Sequence, residues 1–138
     1  MNKIITSLVF LISSLFANDL EVKNAFIKQT PPHAPSSAIF LTLYNNTDKD
    51  IALIDAKTDI SEVSELHTHI HKNGKMAMIQ VPKIIIKAHS STELKPGGYH
   101  IMLFKLSNPV TKNTKANLIL KFDNNQTLKI KNINSKEL

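Results

Sequence analysis

The sequence predicts an all-β domain, a two-sheet β-sandwich or small Greek-key barrel. Three observations carry that reading. No stretch sustains a 3.6-residue apolar period, short runs rich in Ile, Val, Leu, Phe and Thr recur along the chain, and turn residues separate them. Eight to ten such strands in a chain of 138 residues suit one domain built from two packed sheets.

In chain order the expected strands are Glu21–Lys28, Ser37–Asn45, Asp50–Ala56, Glu62–His71, Lys75–Val81, Ile84–Ala88, Ser91–Leu94, Gly98–Leu106, Ala116–Phe122 and Thr127–Asn132. Thr30-Pro31-Pro32, Asn45-Asn46-Thr47-Asp48, Asn73-Gly74, Lys95-Pro96-Gly97-Gly98, Ser107-Asn108-Pro109 and Asp123-Asn124-Asn125 punctuate them. Alternation puts Ile39, Leu41 and Leu43 on one face of their strand, Ile101 and Leu103 on one face of theirs, and likewise Leu118 with Leu120 and Leu128 with Ile130. These are the expected core. Residues 134–138 are expected to fray.

Ahead of the domain, residues 1–17 read as an export signal. Lys3 supplies the positive start, Ile4 to Phe16 is mostly apolar, and Ala17 offers a small residue for cleavage before the polar Asn18-Asp19. The apolar run is too short for the roughly 20 residues of a spanning helix. The expected product is residues 18–138, soluble, monomeric and outside the cytoplasm.

Composition narrows the function. The formal net charge is +6, and all 17 basic residues are lysine. Without arginine forks, specific nucleic-acid recognition is disfavoured. Cysteine is absent, which excludes disulfides, thiolate metal sites and cysteine nucleophiles. There is no phosphate-binding Gly-rich loop and no nucleophile elbow. Glu62 or Glu65 can be set beside a histidine on paper, but no motif supports catalysis, and a non-enzymatic role is expected.

Unusual residues concentrate in two segments. With Asn73-Gly74 central in a type I′ turn, Lys72 faces Lys75, His71 faces Met76 and His69 faces Met78. His67, His69 and His71 then share a face with Met76 and Met78, while Leu66, Thr68 and Ile70 take the other. In the second segment, His100 and Met102 point one way and Ile101 and Leu103 the other. Apart from Met1, every methionine lies between positions 76 and 102. Imidazole with thioether is a soft donor set that favours Cu(I) over Zn²⁺, Mg²⁺ or Ca²⁺. Taken singly, the methionines fit hairpin packing and the histidines a solvated strand face. The combination favours a metal. His33 and His89 fall in loops and are read as incidental.

The spacing His67, Met78, His100, Met102, with ten, twenty-one and one residues between them, resembles the signature of the periplasmic copper chaperone A (PCuAC) family. Glu65-Leu66-His67, Lys75-Met76-Ala77-Met78 and Leu94-Lys95-Pro96-Gly97-Gly98-Tyr99-His100-Ile101-Met102-Leu103 resemble its flanks, as do Thr30-Pro31-Pro32 and the segment from Ser37 to Leu43. The resemblance implies a cupredoxin-like β-sandwich and Cu(I) held by His67, Met78, His100 and Met102. It also implies delivery toward the copper centres of a terminal cytochrome oxidase, through an oxidase subunit or another copper carrier. A blue-copper electron carrier is not implied, since such a site needs a cysteine. Phe26-Ile27-Lys28 stands where members often have Trp-x-Arg, a structural substitution, and two further departures bear on the metal. The C-terminal segment from Asn132 to Leu138 lacks the His/Met-rich tail of some members, and His69 and His71 stand where a methionine is common. His69, His71 and Met76 are the accessory candidates, the histidines for Cu(II) or for an incoming ion. Two rivals remain open: a copper-sequestering protein, and a β-sandwich interaction module whose His/Met face is a docking patch.

Overall fold

The computed structural model describes residues 19–138, so the expected signal segment lies outside the described residues. Every regular element described is a strand: β1 Leu20–Lys28, β2 Ser36–Asn45, β3 Ile51–Thr58, β4 Ser61–Lys72, β5 Lys75–Gln80, β6 Ile84–Ile86, β7 Ser90–Leu94, β8 His100–Leu106, β9 Lys115–Phe122 and β10 Thr127–Lys136. All ten expected strands form.

The strands follow one hydrogen-bonded path, β5-β4-β8-β2-β1-β10-β9-β3-β6, with β7 also on β2. The expected two sheets are therefore the two halves of a single folded sheet. The hinge is β1, which runs antiparallel to β2 and then pairs parallel with the end of β10. A break in register between Lys23 and Phe26, with Asn24 at φ 57°, bulges β1 at this crossover.

Between the halves lies one apolar core. Ile27, Ile39, Leu41, Leu43, Ile101 and Leu103 come from the β1–β2–β8 half, and Leu53, Ile84, Ile86, Leu118, Leu120 and Phe122 from the other. The alternation explains this directly: in β9 every second residue from Ala116 to Phe122 is buried and those between are exposed. Each fully buried Leu or Ile is worth about 1.5–3 kcal/mol against exposure. That gain holds the register, because a one-residue slip would turn every inward side chain to solvent. In β2 the burial is not one-sided, since Ala38 and Phe40 are covered as well.

The expected fraying of residues 134–138 is overturned for most of that segment. A bulge between Ile130 and Ile133, with Asn132 at φ 56°, resets β10 so that Ile133 enters the core. Ser135 and Lys136 then pair with Ile27 and Lys28, and the Gln29 N–H donates to the Lys136 carbonyl at 3.0 Å.

Strand β8 starts at His100 rather than Gly98. Lys95-Pro96-Gly97-Gly98 closes as a turn, with the Gly98 N–H donating to the Lys95 carbonyl at 2.9 Å. Gly97 sits at φ 83°, the third position of a type II turn, where a side chain would be strained. This turn aims the Gly98 carbonyl back toward His100.

Candidate metal centre

The β4–β5 hairpin forms in the expected register. Lys72 pairs with Lys75, His71 with Met76, His69 with Met78 and His67 with Gln80. Asn73 and Gly74 have φ of 52° and 73°, the left-handed values that a type I′ turn requires. Strand β5 is the sheet edge, and all six of its residues are exposed.

On the other side of β4 lies β8. Its register places His67 opposite His100, Glu65 opposite Met102, and Leu66 opposite Ile101. Ile101 and Leu66 face the core, so His67, Glu65, His100 and Met102 share the outer face. The next strand, β2, sets Ala38 beside Met102, and its Phe40 ring lies 6.2 Å from the His100 ring. Two imidazoles flank that of His100, His67 at 5.8 Å and His69 at 5.3 Å between ring centroids.

The hydrogen bonds settle what each ring offers. A carbonyl can only accept, so His100 Nδ1–H donates to the Gly98 oxygen at 3.0 Å and Nε2 keeps its lone pair. That Nε2 lies 3.2 Å from Met78 Sδ, itself without a hydrogen. Two lone-pair donors thus face one another. Burial lowers the His100 pKa from 6.5; the Gly98 carbonyl opposes the shift, and His69 and His67 add to it. The ring is neutral near pH 7, the form that binds metal.

His67 is arranged differently. Its Nε2–H donates to Glu65 Oε2 at 2.6 Å, and its Nδ1 is buried with no partner among the described residues. Such an atom in a native fold calls for an explanation. The residue is only 8% exposed, and its ring lies 5.8 Å from that of Phe104, tilted at 55°.

His69, Met78, His100 and Met102 line one cleft of about 350 Å³, with Phe40 as part of its floor. Pro31 and Ala34 of the β1–β2 loop, the Pro96-Gly97 turn and Leu138 wall it. His67, nearly buried, is not among the residues that line the cleft. Met78 is 45% exposed, so the cleft opens at its side.

The sequence-predicted residues thus separate. Met78, His100 and Met102 converge with His69, and His67 packs against them from β4. His71 and Met76 are exposed near the turn, outside the cleft. His33 is exposed, and the exposed His89 ring places Nε2 2.6 Å from Asp48 Oδ1. Among the described residues no group of three or more His, Cys, Asp or Glu is spaced to hold a metal. Sequence reasoning missed the Glu65 contact, the aromatic flanks Phe40 and Phe104, and the loop wall.

Comparisons with known proteins bear on the family and the fold. An uncharacterized protein, RP573, of Rickettsia prowazekii (strain Madrid E) is 29% identical over 99 residues, covering 71% of this chain and 54% of that protein. The chain spans between half and two thirds of the length of the curated relatives it matches. Among solved structures, that of CuI-DR1885 from Deinococcus radiodurans is 29% identical, with a TM-score of 0.63 over 83% of this chain and 74% of that one. The copper-bound PCuAC domain of PmoF2 superposes with a TM-score of 0.69 over 85% of this chain and 92% of that domain. At 15% identity it speaks for the fold alone, which is cupredoxin-like. The family model described as putative lipoprotein LpqE-like matches residues 20–133, nearly all of the described domain, and the chain therefore belongs to this LpqE-like, PCuAC-type family.

Proposed function

We propose that the protein is an exported copper carrier that holds Cu(I) through His67, Met78, His100 and Met102 and passes it on by ligand exchange. The observation that carries this reading is the 3.2 Å approach of His100 Nε2 to Met78 Sδ with no hydrogen between them. Two neutral soft donors gain nothing from each other at that distance and gain a bond each from a soft monovalent ion between them. The orphaned Nδ1 of His67 supplies a third donor in the same face, and Met102 a second thioether on the cleft wall.

The set carries no net charge and no thiolate, so binding is weaker and more exchangeable than at cysteine sites. Exchange needs an approach path, and the exposed Met78 edge of the cleft provides one. The acceptor this reading favours is a copper centre of a terminal oxidase, directly or through another carrier, in the periplasm. His69 lines the cleft and is the accessory ligand this geometry favours for Cu(II) or for an incoming ion. His71 and Met76 lie outside the cleft and have no such support. The Cu(I)-bound form of the Deinococcus relative supports copper as the cargo.

Anaerobic titration of residues 18–138 with Cu(I) against a chromophoric chelator tests the carrier reading. One equivalent withdrawn from the chelator is expected, and no competition would leave only an interaction module. Oxidase activity in a deletion strain under copper limitation separates delivery from sequestration.

A further inference from the structure

We propose that Glu65 is a positioning residue of this centre, holding His67 in the tautomer that binds through Nδ1 while His100 binds through Nε2. This rests on the copper-carrier reading and adds to it which nitrogen each histidine uses and what sets the choice.

Glu65 and His67 stand two apart on β4 and so share the outer face. A carboxylate only accepts, so the 2.6 Å contact requires hydrogen on His67 Nε2 and leaves the lone pair on Nδ1. That Nδ1 is buried without a partner, an arrangement that is costly unless an electrophile arrives there. Directly across the strand pair, His100 is fixed in the opposite sense, with Nδ1–H on the Gly98 carbonyl and Nε2 free. Two facing histidines are thus set to opposite tautomers by two different acceptors. Outer acceptors of this kind orient metal-ligating imidazoles and raise their basicity.

Glu65 has a second use. It lies opposite Met102, beside a donor set with no charge of its own. A carboxylate in that position offsets the charge of a bound monovalent cation without touching it. The competing arrangement has Glu65 blocking Nε2, so that it must leave before His67 binds through that nitrogen.

Two-bond ¹H–¹⁵N correlation of the histidine rings in residues 18–138 reads the tautomers directly, before and after one equivalent of Cu(I). Expected is an Nε2–H His67 in both states, with the Nδ1 resonance moving on loading and the Nε2 resonance moving for His100. An Nδ1–H tautomer in the apo protein, or movement centred on His67 Nε2, overturns the proposal. Glu65→Gln keeps an accepting oxygen and should keep the tautomer, while loss of the carboxylate's charge should weaken Cu(I) binding by less than Glu65→Ala does. Glu65→Ala should mix the tautomers and weaken Cu(I) binding roughly 10- to 100-fold. Unchanged tautomer and affinity in Glu65→Ala also overturn it. Failure of the wild-type protein to bind Cu(I) sinks the carrier reading instead, and is told apart because the apo tautomer is read without copper.

Discussion

His100 Nε2 meets Met78 Sδ at 3.2 Å although β4 runs between their strands. Adjacent strands lie about 4.8 Å apart, so β8 and β5 are separated by roughly 10 Å of backbone. Only long side chains on the same face can span that gap, above the His67 and His69 positions of β4. The contact therefore depends on two registers at once, β4 on β8 and β4 on β5. Neither strand makes it alone.

Removing either partner should abolish the site's advantage for Cu(I). Met78→Ala deletes an exposed thioether and leaves the core untouched, so folding should persist. Its Cu(I) affinity, measured by anaerobic chelator competition, should fall by more than the roughly 10- to 100-fold that losing an outer-shell partner costs. His100→Ala should do the same. Wild-type affinity in Met78→Ala would remove the thioether from the donor set.

The hairpin register is testable at the turn. Gly74 has φ 73°, and a β-carbon added there would meet nothing within 4 Å, so Gly74→Ala pays only the left-handed backbone cost of about 1–2 kcal/mol. Thermal melts should show a drop of a few degrees, and Cu(I) binding should weaken as Met78 loses its place opposite His69. Asn73→Gly suits the same turn and should change neither.

Much of this was legible in the sequence, for local reasons. Asn73-Gly74 specifies a turn type, the turn specifies the register, and alternation then specifies the shared face of His67, His69, Met76 and Met78. The order β5-β4-β8 is a different matter. It decides that Met78 of β5 and His100 of β8 flank the β4 histidines, and it arises from pairing between segments 33 to 45 residues apart. The C-terminal strand was misread for the same kind of reason. Its parallel pairing with β1 spans more than 100 residues, and only Ile133 marks it locally. The Glu65 contact turns on side-chain rotamers, which periodicity does not address.

The three accessory candidates should separate by position. His69 lines the cleft 5.3 Å from the His100 ring, whereas His71 is exposed beside the turn. His69→Ala should lower Cu(II) uptake, followed by the d–d absorption or by electron paramagnetic resonance, while His71→Ala leaves it unchanged. Equal effects from both would show that the histidine face of β4 as a whole, not the cleft, takes the ion.

Acid should act on the centre through His100, and the sign follows from its environment. Burial lowers its pKa below 6.5, against the Gly98 hydrogen bond and with help from His69 and His67. In the unfolded chain the same ring titrates near 6.5. Between 6.5 and the lowered folded value the unfolded state holds the extra proton, so this contribution to stability falls as pH drops through that window. Above the window His100 contributes no pH dependence, and below the folded value the loss is complete. Denaturant midpoints of the apo protein at pH 7 and pH 5 should therefore differ more for wild type than for His100→Gln, which cannot titrate. Proton competition for Cu(I) at Nε2 should likewise be displaced to lower pH than for an ordinary imidazole. A wild-type midpoint no more acid-sensitive than that of His100→Gln would show that the buried ring does not titrate in this range.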